Sequence, residues 1–232
     1  MRYRLPALAV LALAAAAPAQ GANRNFGVSG FEQIRVQGPF KVTVEVGVPP
    51  YARATGSPAA LDTVQVEMQG RTLIVRPNRS SWGGYPGRSD GPVEVLIGTH
   101  ELSRVGVIGA GSIIIDKVKG PSFDLAIDGS GSAQIGAVTV DRLKVNMFGA
   151  ATARLGGTAA MFDGVVRGAG ALDALELGVK DAKIGAEGTV SVSATVTGTA
   201  KVQAQGPAVV NFAGRPACET KASGSASVNG CR

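Results

Sequence analysis

Small residues recur at nearly equal spacing through the second half of the chain, usually as the second residue of a G-x-G-like element. Taken as anchors, these residues are separated by steps of 20, 20, 19, 18, 12 and 26 residues. A repeat of about twenty residues is typical of solenoid proteins. The anchors are Gly111, Gly131, Ala151, Gly170, Gly188, Ala200 and Ala226.

Apolar and polar positions alternate at fixed offsets from these anchors. Positions two and four residues after each anchor are apolar or glycine, whereas the position between them is mostly polar. Such a period of two predicts extended strands with one buried face, because successive strand side chains point to opposite faces. Val190 and Val192 fall in the inward columns, and Ser191 falls in the outward one. The column four residues after the anchor reads Ile115, Ile135, Leu155, Ala174, Val192, Ala204 and Gly230.

The anchors mark the bends between successive strands. Glycine suits such a bend because it tolerates positive φ and leaves room for the coil stacked above it. Stacked coils require parallel strands with right-handed crossovers. We therefore predict an all-β fold, a right-handed parallel β-helix-like solenoid with an N-terminal β-layer. A two-strand hairpin also occupies about twenty residues, which leaves an antiparallel β-sandwich as the alternative.

The first part of the mature chain has a different pattern. Residues 31–46 alternate between apolar and polar, and two further alternating runs flank Gly70, which predicts a hairpin. We interpret residues 26–100 as the N-terminal β-layer that caps the stack and residues 101–232 as repeated coils. Together they form one predicted domain over 20–232.

Residues 1–19 predict a secretory signal peptide. Two arginines precede an apolar block, and small residues around Pro18 provide a cleavage site. No later stretch is apolar enough to predict a membrane span. We expect an exported protein that is periplasmic or located at the cell surface or outside the cell.

The net charge argues against one class of partner. The formal charge of +6 becomes +4 when Arg2 and Arg4 are removed with the signal peptide, and no two Lys or Arg residues are adjacent in the rest. Nucleic-acid-binding proteins show a concentrated basic face, so we expect no nucleic acid partner. Attraction to acidic polysaccharide or lipid headgroups is compatible with this charge.

The two cysteines, Cys218 and Cys231, are predicted to form a disulfide because the chain is bound for an oxidising compartment. Free thiols are the alternative. A metal site would need more ligands than the lone His100 and these cysteines provide, so we predict no metal and no cofactor.

Catalytic signals are weak. His100 lies close to Glu101 and Ser103 without a nucleophile elbow, which favours a structural histidine. Paired carboxylates could hydrolyse a glycosidic bond, but the aspartates along the coils fall in different columns and are explained by turn bonding. These aspartates are Asp116, Asp124, Asp128, Asp141, Asp163 and Asp173.

The order of these motifs resembles a known family. The alternating start over 31–47, the recurrent V-x-G-x-G elements and the hairpin-like ending over 218–231 look like the GIN domain at the head of putative auto-transporter adhesins. The resemblance covers about 26–232. It implies an exported bacterial all-β domain that resembles a parallel β-helix.

A polar segment over 76–92, rich in Gly and Pro, holds the candidate binding residues. Trp82 and Tyr85 could stack on sugar faces, and nearby charged side chains could bind hydroxyl or acidic groups. A surface loop whose Trp folds back onto the domain is the alternative. The candidate ligand-binding residues are Arg79, Trp82, Tyr85, Arg88 and Asp90.

These observations predict a non-catalytic, adhesin-like or envelope ligand-binding domain. Its expected partner is a cell-surface or extracellular glycan or an envelope protein. The alternatives are a polysaccharide-acting β-helix enzyme and a structural or stress-related envelope domain. The oligomeric state is not predicted.

Overall fold

The structure, a computed structural model, describes residues 22–78 and 91–232. The described residues are 73% strand and 3% helix, and they include one short helix, α1 (Pro58–Asp62). The strands are β1 (Ala22–Phe26), β2 (Gln33–Gln37), β3 (Lys41–Val46), β4 (Tyr51–Gly56), β5 (Val64–Gln69), β6 (Thr72–Pro77), β7 (Glu94–Thr99), β8 (Arg104–Gly109), β9 (Ser112–Gly129), β10 (Ser132–Gly149), β11 (Thr152–Gly168), β12 (Ala171–Gly188), β13 (Ser191–Val196), β14 (Thr199–Gln205), β15 (Val209–Ala213), β16 (Ala217–Ser223) and β17 (Ser227–Asn229).

The chain winds as a β-solenoid of about 6 turns, consistent with a right-handed coil. Each long strand, β9 to β12, contributes its first half to one face and its second half to the other. The start of β9 pairs with β3, whereas its end pairs with β8. All neighbouring coils pair in parallel, as at Ser132 beside Ser112. The predicted parallel solenoid is confirmed, and the antiparallel sandwich is wrong.

The solenoid has two β-sheet faces, named after β2 and β3. The β2 face contains, in spatial order, β5, β6, β2, β8, the second halves of β9 to β12, β14 and β16. The β3 face contains β1, β4, β7, β3, the first halves of β9 to β12, β13, β15 and β17.

The N-terminal strands join the same stack rather than forming a separate cap. β2 lies between β6 and β8, and β3 lies between β7 and β9, all in parallel. Among residues 22–78 and 91–232, the antiparallel pairs lie beyond the coil that β2 and β3 form. There β5 pairs with β6 as the predicted hairpin, with Gly70 at φ +60° in its turn. β4 pairs with β7, and β1 pairs with β4.

One continuous hydrophobic core fills the space between the two faces. The inward columns are fully buried, as at Ile135 and Leu155, which lie side by side in β10 and β11. Burial of such a side chain stabilises the fold by about 1.5–3 kcal/mol. Each inner coil also hydrogen-bonds to the coils on both sides, so its backbone is satisfied without helices.

The two glycines of each G-x-G element have separate roles. The first glycine adopts positive φ, as at Gly129 (φ +117°) and Gly149 (φ +96°). The second glycine packs under the bend: a Cβ on Gly131 would lie 2.8 Å from Val107 Cγ1 and 2.9 Å from the Gly111 carbonyl oxygen. The first position therefore requires glycine because of its positive φ. The second requires a small residue because the neighbouring coil packs closely against it.

The predicted register fails near the C-terminus. Gly188 lies beside Gly168, two residues before the column of the other anchors. Ala200 lies within β14 on the β2 face, beside Ala182, and not at the bend that leads into the β3 face. Val190 and Ala208 continue the column instead, because the residues after them pair with the starts of β12 and β13. The true steps after Gly170 are 20, 18 and 18 residues, so the repeat is more regular than the glycine positions indicate.

This error did not turn inward side chains outward. Val192 lies beside Leu172 rather than in the column of Ile135, yet it is fully buried. Val190 is buried and Ser191 is exposed, as predicted. A slip of two residues preserves the inward direction of a strand side chain, since the strand period is two.

The end of the chain is a last coil and not a hairpin. β16 pairs in parallel with β14, and β17 pairs in parallel with β15. The predicted disulfide is present between Cys218 and Cys231, whose Cα atoms are 5.7 Å apart. It closes this coil, and the Arg232 N–H donates a 3.1 Å hydrogen bond to the Pro216 carbonyl.

Candidate functional site

A groove crosses the outer surface of the β2 face near the N-terminal end of the solenoid. Its floor is formed by Gly106 and Ala126, which lie side by side in β8 and β9. Gly106 has no side chain and Ala126 has only a methyl group, so the backbone itself is exposed at these two successive coils. A Cβ on Gly106 would meet no atom within 4 Å, which shows that the space above it is open.

One wall of the groove has two exposed apolar side chains. Ile108 and Phe148 stand in the next outward column, with 44% and 40% of their surfaces exposed. Asp128 lies between them in that column. The Phe148 ring is held from the far side by Arg167, whose guanidinium lies 6.0 Å from the ring centroid and pairs with Glu187 at 3.0 Å.

The opposite wall is charged. Arg104 and Asp124 lie side by side and form a 3.5 Å ion pair. Arg35 lines one part of the groove and Asn146 another, so hydrogen-bond donors face the opening from several strands. The groove has a volume of about 420 Å³, which lies within the range of small-molecule sites.

A second depression of about 340 Å³ adjoins this groove. It shares Arg104 and Asp124 with the groove and adds Arg142 and Lys144 on its other side. Arg142 and Lys144 form no ion pair with any carboxylate of residues 22–78 and 91–232. The combined surface therefore has more cationic than anionic groups, and it favours anionic ligands.

The two shifted pKa values belong to structural contacts away from the groove. Burial and a 2.7 Å hydrogen bond donated to Glu45 raise the pKa of Tyr51 to about 12. The Thr199 hydroxyl and backbone N–H donate to Asp181 at 2.6 and 3.0 Å and lower the pKa of Asp181. The Asp181 contact holds the bend between β13 and β14 against the middle of β12 in the neighbouring coil.

The sequence-predicted site cannot be compared with this groove. Its residues Arg79, Trp82, Tyr85, Arg88 and Asp90 lie outside the described residues. The predicted site therefore stays a prediction.

Asp116, Asp124 and Asp173 of the coil aspartates act in turns or ion pairs. Asp116 accepts hydrogen bonds from the Val46 and Lys117 N–H groups. Asp124 and Asp163 share one column, contrary to the expectation of separate columns, but Lys144 lies between them. In the part of the chain that the structure describes, no group of three or more His, Cys, Asp or Glu residues is placed to hold a metal ion.

Sequence reasoning missed the groove although a signal was present. Gly106 and Ala126 occupy outward positions of the repeat, where a polar side chain is the rule. Small outward residues at successive coils indicate a depression once the register is known. Neither Ile108 nor Phe148 reveals from sequence that it flanks that depression.

The sequence pattern of one protein family matches residues 30–216, and the family is described as "Putative auto-transporter adhesin, head GIN domain". The chain belongs to this family. The resemblance predicted from the sequence is thereby confirmed, and the family places this GIN domain among adhesin-like proteins of exported or surface type.

Solved structures show the same fold at low sequence identity. A putative adhesin from Bacteroides fragilis NCTC 9343 is 17% identical with a TM-score of 0.79, and the match covers 91% of this chain and 97% of that one. A putative lipid binding protein from Parabacteroides distasonis ATCC 8503 is 19% identical with a TM-score of 0.72, covering 91% and 97%. A putative adhesin from Parabacteroides merdae ATCC 43184 is 18% identical with a TM-score of 0.64, covering 91% and 96%.

No match was found among the curated proteins. Within residues 22–78 and 91–232 of this GIN domain, no helix has the length and apolar character needed to cross a membrane.

Proposed function

We propose that this GIN domain is an exported, non-catalytic adhesin head that binds an anionic surface glycan in the groove of the β2 face. The observation that carries the proposal is the open floor at Gly106 between the exposed Phe148 ring and the Arg104 side of the groove. Membership of an adhesin-like family supports a binding role.

The chemistry of the two walls fits an acidic sugar. A pyranose ring has apolar C–H faces that pack against an aromatic side chain, which Phe148 and Ile108 provide. A uronate or sulfate group would accept charge-assisted hydrogen bonds from Arg35 or Arg104. The excess of cations over carboxylates raises the local concentration of such a ligand.

The ladder of strands keeps this site rigid. Arg104 lies on β8 and Phe148 lies on β10. These two strands flank β9 and are hydrogen-bonded to it. A preorganised site loses little conformational entropy on binding, which favours affinity for a weakly held polymer. The same rigidity would present adjoining sites to successive units of a repetitive chain.

The test is a set of groove-filling variants. Gly106→Leu places a side chain where no atom lies within 4 Å, so it should block the groove without disturbing the fold. Gly185→Leu is the control: Gly185 lies in the same column at β12, beyond the groove, and its Cβ would meet only Val165 Cγ2 at 3.8 Å. We expect Gly106→Leu and Phe148→Ala to lose binding on an array of acidic glycans, whereas Gly185→Leu retains it.

Two outcomes contradict the proposal. Equal glycan binding by Gly106→Leu and the unchanged protein would exclude the groove. Binding to vesicles of anionic lipid without binding to glycans would favour a lipid ligand, as the name of the Parabacteroides distasonis relative describes for that protein.

The segment between β6 and β7 supplies a second candidate site on independent grounds. Trp82 and Tyr85, with Arg79, Arg88 and Asp90, carry the aromatic and charged groups that sugar binding uses. Loss of binding in Trp82→Ala with Tyr85→Ala, but not in Gly106→Leu, would assign the ligand to this segment.

Export and exposure are tested separately. N-terminal sequencing of the secreted protein should begin at Gln20, and external protease should degrade the protein on intact cells. Protection from protease in a periplasmic fraction would contradict adhesion. Release of reducing ends from acidic glycans would support the enzyme alternative, and capture of stress-related envelope proteins would support the structural one.

A further inference from the structure

The C-terminal end of the solenoid exposes a strand edge. Within residues 22–78 and 91–232, β16 pairs with β14 on one side and with no strand on the other. Thr220 and Ala222 are exposed although they continue inward columns, because no other coil of the described residues covers them. Exposed strand edges are the surfaces at which proteins add further strands.

The backbone N–H and C=O groups of successive residues in β16 point alternately toward β14 and toward the free edge. The Ala217 N–H donates to the Gly198 carbonyl at 2.9 Å and therefore points toward the neighbouring coil. Successive residues of a strand direct their N–H and C=O groups to opposite sides, so Cys218, Thr220 and Ala222 direct theirs to the free edge. The Pro216 carbonyl, on the same side, already accepts from the Arg232 N–H. The free stretch therefore begins at Cys218.

We propose that a second copy of this chain pairs with that edge, antiparallel and centred on Thr220. In this register Thr220 lies opposite the partner subunit's Thr220, and Cys218 lies opposite the partner subunit's Ala222. Arg232 leaves the Pro216 carbonyl on pairing, because the partner strand continues past Ala217 into the space that Arg232 occupies. The residues that face each other all direct backbone groups to the shared edge. About six backbone hydrogen bonds would form, because each of three facing pairs exchanges two.

Charge complementarity selects this register. Glu219 lies opposite the partner subunit's Lys221, and Lys221 lies opposite the partner subunit's Glu219. These are non-hydrogen-bonded pairs, in which antiparallel side chains come closest. Glu219 also holds Lys201 of its own chain at 3.1 Å, so the contact would join an existing ion pair.

The neighbouring registers are unfavourable. A shift of the partner strand by two residues keeps the free backbone groups opposite each other. It moves the centre of the pairing to Glu219 or to Lys221. The first places two carboxylates directly opposite each other, and the second places two ammonium groups there, both of which are destabilising. A contact that uses the same strand on both copies is isologous and closes as a dimer, so it does not propagate into a fibre.

Two single charge reversals and their mixture test the proposal. We expect the purified protein, with its disulfide intact, to sediment as a dimer with a dissociation constant of about 10 µM. Glu219→Lys or Lys221→Glu alone places like charges opposite each other twice and should weaken dimerisation about tenfold. An equimolar mixture of the two variants restores both opposite-charge pairs, and a mixed dimer should form as tightly as the original.

The matched control is Lys183→Glu, which reverses an exposed charge in the same column two coils from the edge. It should dimerise like the unchanged protein. Thermal unfolding of all variants shows that they are folded. A monomer at about 100 µM for the unchanged protein, or no mixed dimer from the two reversed variants, would overturn the proposal.

Discussion

The ring of Tyr51 in β4 covers Gly98 in β7, directly opposite it in the antiparallel pair. A Cβ on Gly98 would overlap the ring and would also lie 2.9 Å from Val48 Cγ2. The glycine is therefore the surface on which the aromatic side chain rests. The Tyr51 hydroxyl is then placed to donate its hydrogen bond to Glu45.

Gly98→Ala should destabilise the N-terminal part of the stack by displacing the Tyr51 ring. We expect a loss of about 1–3 kcal/mol in the free energy of unfolding, as for other overpacked sites. Denaturant unfolding measures it. Gly106→Ala is the control, because its Cβ meets no atom within 4 Å and should change stability by less than about 0.5 kcal/mol. If Tyr51→Ala and Gly98→Ala are simply additive, the contact is not as described.

The Tyr51 phenol should ionise late. Its pKa is raised from 10.0 to about 12, first by burial and then by the hydrogen bond and charge of Glu45. A raised pKa means that the stabilising contribution is complete below pH 10 and is lost between pH 10 and about 12. The difference in tyrosinate absorbance between the unchanged protein and Tyr51→Phe follows this titration. Glu45→Gln should lower the pKa, and an unchanged midpoint would contradict that role for Glu45.

Val190→Asp and Ser191→Asp separate the inside of the solenoid from the outside. Val190 is 3% exposed, so an aspartate there would bury an unpaired charge and cost more than about 4 kcal/mol. Ser191 is exposed, and its substitution should cost less than about 0.5 kcal/mol. Thermal unfolding compares them. Equal midpoints would show that the two side chains do not face opposite sides.

Gly149→Ala should be among the most damaging alanine substitutions at a bend. Its φ is +96°, and its Cβ would lie 3.1 Å from the carbonyl carbon of Gly129 in the coil below. Strain and collision together should cost about 2–4 kcal/mol in the free energy of unfolding. Gly178→Ala is the control, since its Cβ would lie 3.8 Å from the nearest atom and its φ is not positive. A loss no larger than that of Gly178→Ala would mean that stacking at this bend is loose.

The sequence predicted the parallel solenoid because every coil must repeat the same short-range constraints. Period-two alternation set the strand faces, so Ile135 and Leu155 were correctly placed inside. It could not separate columns two residues apart, and Gly188 was therefore mistaken for Val190 as an anchor. Only the ladder of hydrogen bonds between coils distinguishes those positions.

The candidate site shows the same division. Gly106 and Ile108 lie on one strand, but Phe148 follows two coils later, and its place beside them depends on the stacking of β8, β9 and β10 in one register. The sequence by itself determined the strand type, the buried face and the disulfide partners, because these depend on local alternation and on two cysteines alone. The tertiary structure decided which outward side chains stand next to each other, because that adjacency is set by pairing between coils and not by any pattern within one.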